Sequence, residues 1–512
     1  MTIRHPLRFL ALAVGLGWAY DLLFWGKSPG VSVLLYALLL LIGLLLSLRW
    51  QRVRAMPVNL WMPALLILFA ALAFVRANAF LIFLNILAVL SLFMLIIDHL
   101  TRDAVWRLRV IDLFFDPIKA FVHTVQGGVE ILVDSRHFFR DGLAGERGRH
   151  APAVLVGLLI SLPILLILIP LLMSADLIFA EMLHDIFSWG RILEWSIRIF
   201  FMAINGLLAG GALLYAAQER TSHHTLFRSP AADAPSTSTS ILSRLGIIEA
   251  LIPLTLVNLL FLAFVFIQIS YLFGGERNIG EHAFSYAEYA RRGFAELVIV
   301  AMFIFAIILI LHRLSRPETP VERRAFNLSA TLLLLLTMIL LVSAFKRLTL
   351  YEMAYGYTTM RIYPHVFMIW LGLLLAWFAA TLWLAPGRLA IGMLAAFFGF
   401  ALTLNLLNPD AFIVRRNIAR FYEQGRLDIL HENGGQIDTR YFDRLSADAV
   451  PALLAELPEM PDNLRTIIEE GLQTRYAKMQ DDKRLQHWQS WNVSRWRAYG
   501  SLEAHFEQDA AR

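Results

Sequence analysis

Residues 345–364 read FKRLTLYEMAYGYTTMRIYP and set cations, a carboxylate and phenols between two uncharged runs. Lys346, Arg347 and Arg361 are suited to holding a phosphate or carboxylate, arginine through its planar fork. Glu352 is a candidate base. Tyr351, Tyr355, Gly356 and Thr358 add a Tyr-Gly-x-Thr spacing. An active site, a lipid-headgroup site and a plain water-boundary connection between two membrane helices all fit this composition. Interfacial charges that snorkel and pair are the simplest account.

Other charges sit at span ends expected to face outward. Arg291 and Arg292 lie in EYARRGFAE, and Glu194 and Arg198 are four apart, on one helix face. Asp21, in WAYDLLFWGKSPG, is the acid nearest the first outer loop. An acid there resembles membrane glycosyltransferases that use a lipid-linked donor, but their first outer loop is long and this one is short. Asp21 is better read as a helix-end residue. Together Lys346, Arg347, Tyr351, Glu352, Tyr355, Gly356, Thr358, Arg361, Arg291, Arg292 and Asp21 form the candidate binding set, with no catalytic residue assigned.

Metal and cofactor chemistry find little. Glu181, His184 and Asp185 share a helix face in EMLHD, yet no second Glu-x-x-His exists to complete a di-metal carboxylate centre. His223 and His224 have no ligand partners nearby in sequence. The chain has no cysteine, so thiolate sites and disulfides are excluded. Phosphate-cradling and dinucleotide-binding glycine loops are missing. No metal and no cofactor are expected.

These residues must be positioned by membrane helices. The 512-residue chain is 58% hydrophobic and 17% charged, with a mean hydropathy of +0.61. A soluble domain carries nearer a quarter charged residues, so an integral membrane protein is implied. The net charge of +5 is small and dispersed, which argues against a nucleic-acid partner. Uncharged runs near 9–20, 31–48, 58–75, 77–97, 151–175, 199–217, 250–275, 297–311, 328–345, 364–385 and 389–407 predict about eleven spans. The first is read as a retained span rather than a cleaved leader. Segment 176–195 is too charged to cross and reads as an interfacial helix.

Loop Lys and Arg favour a cytoplasmic N-terminus, which puts the C-terminal residues outside. Segment 98–150 mixes apolar and charged residues at helical spacing, as helices lying on the membrane surface would. Residues 229–240, SPAADAPSTSTS, read as a linker. The span centres lack Asp, Glu, Lys and Arg, which argues against a proton-driven pump. Their neutral polar residues, Asn85, Asn205, Asn258, Gln268, Asn405 and Asn408, suit interhelical hydrogen bonds. Gly206 and Gly210 share a face, a close-packing device.

From 408 the chain turns polar. Residues 1–407 are expected as a transmembrane bundle and 408–512 as a small soluble helical domain. Ser446 and Asp462 are its expected helix start signals. Trp488, Trp491 and Trp496 are expected on one helical stripe, packed in that domain's core or docked at the bilayer interface.

Three stretches resemble one known group: GLGWAYDLLFWGKSPGVSVLLYALLLL, KRLTLYEMAYGYTTMRI, and LNPDAFIVRRNIAR followed by YFDRLSADAVPAL. The group is the bacterial multi-pass membrane proteins called domain of unknown function 4173, related to domain of unknown function 4153. The resemblance marks Asp21, Tyr351, Tyr355, Gly356, Thr358, Arg361, Asn408, Asp410, Asn417 and Asp448. HENGGQ, at 431–436, departs from the pattern. The resemblance implies a bacterial inner-membrane location and no assigned activity.

The reading is therefore an all-α polytopic bundle whose first partner is the lipid bilayer. The favoured function is non-enzymatic transport, sensing or envelope assembly through an anionic lipid or lipid-linked molecule at the outer face. A membrane-embedded transferase with Asp21 or Glu352 as base is the alternative, and a channel another. No protein partner is specified.

Overall fold

A computed structural model of the chain describes residues 5–101, 105–142, 189–218, 246–273, 294–315, 318–385, 387–424, 440–483 and 485–510. Among these there is no β-strand. The helices, numbered here in chain order, are α1 Pro6–Phe24, α2 Val31–Gln51, α3 Trp61–Val75, α4 Ala79–His99, α5 Val110–Gly142, α6 Trp189–Ala217, α7 Ile247–Phe273 and α8 Phe294–Leu314. Then follow α9 Pro320–Tyr355, α10 Thr359–Leu384, α11 Leu389–Leu407, α12 Pro409–Gln424, α13 Arg440–Arg444, α14 Val450–Glu456, α15 Asp462–Asp481 and α16 Val493–Ala510. Ten helices among the described residues are long and apolar enough to cross a membrane. They coincide with ten of the expected runs. The remaining run, 151–175, lies outside the described residues, as do 176–188 and the linker 229–240. Side chains such as Phe266, Leu384 and Leu406 are exposed on these helices, as a lipid-facing surface requires.

The chain divides into two compact units. The first comprises Met1–Val105, Ile111–Arg220 and Met479–Trp496; the second comprises Trp106–Val110, Thr221–Lys478 and Arg497–Arg512. Residues 408–512, expected as one domain, thus contribute to both.

In the first unit α1 and α6 run antiparallel with little between their backbones. A Cβ on Gly206 would lie 2.4 Å from the Ala13 carbonyl oxygen, and one on Gly17 would lie 2.2 Å from that of Met202. Small residues are needed because membrane helices gain their contact energy from packing rather than from expelling water. α5 is amphipathic: Phe114, Phe115, Ile118, Phe121, Val122, Val125, Val129 and Val133 are exposed along one side, while Ala120, Thr124, Gly127, Gly128 and Ile131 are buried. That is the pattern of a helix lying in an interface.

Residues 488–495 fasten onto the α1–α2 loop of the same unit. Trp491 O accepts from Val31 N (2.8 Å), Ser490 Oγ from Ser28 N (3.0 Å), and Pro29 O from Arg495 Nη2 (2.6 Å). Asn492 Nδ2 donates to Arg76 O at the α3–α4 turn, and its Oδ1 accepts from the Ser494 and Arg495 amides to start α16. The expected tryptophan stripe is corrected here. Trp488 sits in a short 3-10 turn, Trp491 precedes α16, and the three indoles remain 58%, 45% and 61% exposed, so they form no core.

The second unit is built on α9. Its apolar faces pack against α7, α8 and α10 through Ala330, Leu333, Leu334, Leu340, Ala344 and Leu348. Asn258 Nδ2 reaches across from α7 to Ser329 O (3.0 Å), the interhelical role expected of a span asparagine. Asn205 donates instead to the Phe201 carbonyl four residues back in its own helix, and Asn405 Nδ2 donates to the Ala401 carbonyl. Ser446 caps a 3-10 turn leading into α14, whereas Asp462 lies in the first turn of α15 rather than at its cap.

Candidate functional site: the α9–α10 turn

α9 starts at a full capping box: the Thr319 hydroxyl accepts from the Glu322 amide, and the Glu322 carboxylate from the Thr319 amide. At 36 residues it is about 54 Å long, against a hydrocarbon core of about 30 Å. Its uncharged run ends at Lys346, and the stretch apolar enough to span reaches Met353, so α9 is longer than a membrane crossing needs. The helix stops at Gly356, whose φ of +79° a side chain would strain, and whose N–H donates to Glu352 O (2.8 Å). Thr358 is extended and opens α10.

Inside this turn the polar groups are buried and mutually bonded. Glu352 is 4% exposed, and its Oε1 lies 2.9 Å from His365 Nδ1. The other ring nitrogen of His365 is 3.3 Å from the Thr349 hydroxyl, which donates to Phe345 O. The Phe345 ring packs edge-on against His365 at 4.4 Å. Arg361 directs Nη1 at the carbonyls of Tyr355 (2.9 Å) and Gly356, acceptors at the end of α9. Its guanidinium lies 4.2 Å from the Tyr351 ring centre and 5.9 Å from that of Tyr355. A cation that both bonds the last carbonyls and meets the negative end of the helix stabilises the stop.

Tyr357, between the two helices, is held from the post-membrane segment. Asn417 of α12 accepts from Tyr357 N (2.7 Å) and donates to Tyr357 O (2.8 Å), while the Tyr441 hydroxyl accepts from Thr359 N (2.8 Å). Burial, and then the nearby Glu352 charge, push the Tyr357 hydroxyl above its usual range. Next in the same unit, the buried carboxylate of Asp410 accepts from Ser446 N (2.9 Å), and Ser446 Oγ donates to Asp448 (3.0 Å). Arg475 donates to four carbonyls, those of Phe442, Asp443, Leu445 and Ser446. Burial lowers its pKa.

Six of the eleven candidate residues therefore lie together at one turn: Tyr351, Glu352, Tyr355, Gly356, Thr358 and Arg361; Lys346 and Arg347 lie more than two helical turns back along α9. Lys346 is exposed and Arg347 half-buried there. Arg291 and Arg292 lie outside the described residues. Asp21 belongs to the first unit, where Arg198 grips it with both arms of its fork, Nε to Oδ1 at 3.0 Å and Nη2 to Oδ2 at 2.5 Å. Trp195 and Trp25 flank that guanidinium at 4.5 and 5.9 Å. The Arg198 fork thus takes Asp21 rather than Glu194, the partner suggested by helical spacing. His365 and Thr349 escaped sequence reasoning because each is an ordinary residue until α9 and α10 fold back on each other. His365 falls four residues after Arg361, on the same α10 face, which was the available signal.

Nothing matches the chain among curated proteins or among solved structures. The family described as domain of unknown function (DUF4153) matches residues 63–456, which is most of the sequence and includes the whole α9–α10 turn and its fastening through Asn417 and Asp410. The chain is a multi-pass membrane protein of the DUF4153 family.

Proposed function

We propose that the protein is a non-enzymatic transport, sensing or assembly factor of a bacterial inner membrane, engaging an anionic lipid or lipid-linked molecule at the face bearing the α9–α10 turn. On this reading the N-terminus is cytoplasmic, the C-terminal residues are extracytoplasmic, and the chain falls within the narrower group of domain of unknown function 4173. The observation that carries it is the exposure of Lys346 where the uncharged run of α9 ends, beside half-buried Arg347 and exposed Phe345. Such a site presents a cation to a headgroup and an aromatic ring to its acyl chains. Arg415 and Arg416, exposed on α12 next to Asn417, add charge of the same sign on the water side.

A transferase with Asp21 or Glu352 as base has less support. Each carboxylate side chain is under 10% exposed and already bonded, to Arg198 and to His365 respectively. A channel has less support too, since Asn205 and Asn405 bond their own helices. The test is lipid retention. Wild type and Lys346→Gln/Arg347→Gln, in nanodiscs of mixed phosphatidylcholine and phosphatidylglycerol, are compared by native mass spectrometry. Wild type is expected to keep phosphatidylglycerol preferentially and the variant to lose that preference; equal retention would overturn the proposal.

A further inference from the structure

Asp98 and His99 end α4, and Asp116 lies in the first turns of α5; all three belong to the first unit. One ligand atom from each can be chosen so that all lie within 4.8 Å of one another. His99 Nε2 is 3.5 Å from Asp98 Oδ2 and 3.7 Å from Asp116 Oδ2. Both distances exceed a hydrogen bond, and Nε2 is shielded from solvent with no hydrogen-bond partner. A ring nitrogen set between two carboxylate oxygens at ion-pair distance is also at the spacing that a shared cation would impose on all three.

The surroundings hold these atoms in place. The outer oxygen of Asp98 accepts from the Tyr215 hydroxyl (2.7 Å), and the Tyr215 ring stacks on His123. The outer oxygen of Asp116 accepts from Lys119 Nζ (2.8 Å). The backbone carbonyl of His99 accepts from Asn59 Nδ2 (2.7 Å), which fixes the end of α4. In each carboxylate one oxygen is thus tied outward and the other turned inward. This is how partners in the outer sphere orient metal ligands. Bonds of 2.0–2.2 Å opened to a tetrahedral angle separate ligand atoms by about 3.4 Å, close to both measured sides.

We infer that Asp98, His99 and Asp116 bind a divalent first-row metal ion, with His99 Nε2 and the two inward Oδ2 atoms as ligands. One imidazole and two carboxylates suit Zn²⁺ or Mn²⁺. Three protein ligands leave positions for water, and the ion would pin the amphipathic α5 to the end of α4. Lys119 and Tyr215 position the carboxylates and do not touch the ion.

The test uses the full chain in detergent, stripped with a chelator and then titrated with Zn²⁺ alone. Wild type should bind one equivalent by calorimetry, and its melting temperature should rise as Zn²⁺ is added. His99→Gln and Asp116→Asn should each lose tenfold or more in affinity, and Tyr215→Phe should fall between them and wild type. Stoichiometry near zero in wild type, or equal binding by wild type and a His99→Gln/Asp116→Asn double variant, would overturn the site. If the substitutions prevent folding, the wild-type melting shift decides alone, and no shift counts against the ion.

Discussion

Asn417→Leu is the sharpest probe of the fastening between the membrane helices and the segment that follows them. Leucine is close to asparagine in shape but removes one donor and one acceptor. It leaves both the N–H and the C=O of Tyr357 without the partners now at 2.7 and 2.8 Å. Asn417 is only 3% exposed, so water reaches its side of the contact poorly. Each buried polar group left unsatisfied costs about 1–3 kcal/mol, and with partial rescue at half-buried Tyr357 the pair should cost about 2–4 kcal/mol. Local opening of the turn would then become roughly 30- to 900-fold more frequent, at 1.36 kcal/mol per decade. Hydrogen–deuterium exchange of peptides covering 353–360, read by mass spectrometry in detergent, reports this directly. Asn417→Asp keeps the acceptor for Tyr357 N–H and should show a smaller acceleration. Protection unchanged within twofold in Asn417→Leu would refute the reasoning: Asn417 would then be a bystander.

Three further substitutions test the packing and polar joints. Gly206→Ala places a methyl 2.4 Å from the Ala13 carbonyl oxygen and should cost about 1–3 kcal/mol, whereas Gly15→Ala meets nothing within 4 Å; thermal unfolding should separate the two, and equal midpoints would count against close α1–α6 packing. Arg475→Met strips the donor from four carbonyls and should cost about 3 kcal/mol or more, seen as faster proteolysis within 440–480. Asn492→Leu removes both the bond to Arg76 O and the cap of α16, so trypsin should cleave after Arg495 sooner than in wild type; an unchanged rate would mean that Arg495 and the backbone bonds of Trp491 suffice.

The sequence by itself determined the class. Some 20 apolar residues without charge have one stable conformation in lipid, a helix that satisfies its own backbone, so composition and run length placed ten described helices without any tertiary information. Gly356 was legible only as part of the Tyr-Gly-x-Thr spacing; that it ends α9 follows from its φ of +79° in the fold. The close-packing role of Gly206 was legible from small-residue spacing. What charge meant at each position was not legible. Asp21 pairs with Arg198, 177 positions away, and Glu352 with a histidine on the following helix. Local spacing offered Glu194 for Arg198 and grouped Glu352 with the nearby arginines, because spacing along one helix carries no record of which second helix lies against it. The tryptophans show the same limit: as a pattern they fitted one stripe, yet the chain breaks between Trp488 and Val493 to seat its backbone on the α1–α2 loop. Burial of a segment in lipid is decided by the segment alone, whereas a hydrogen bond or ion pair needs two groups, and only the tertiary structure brings the second one within reach.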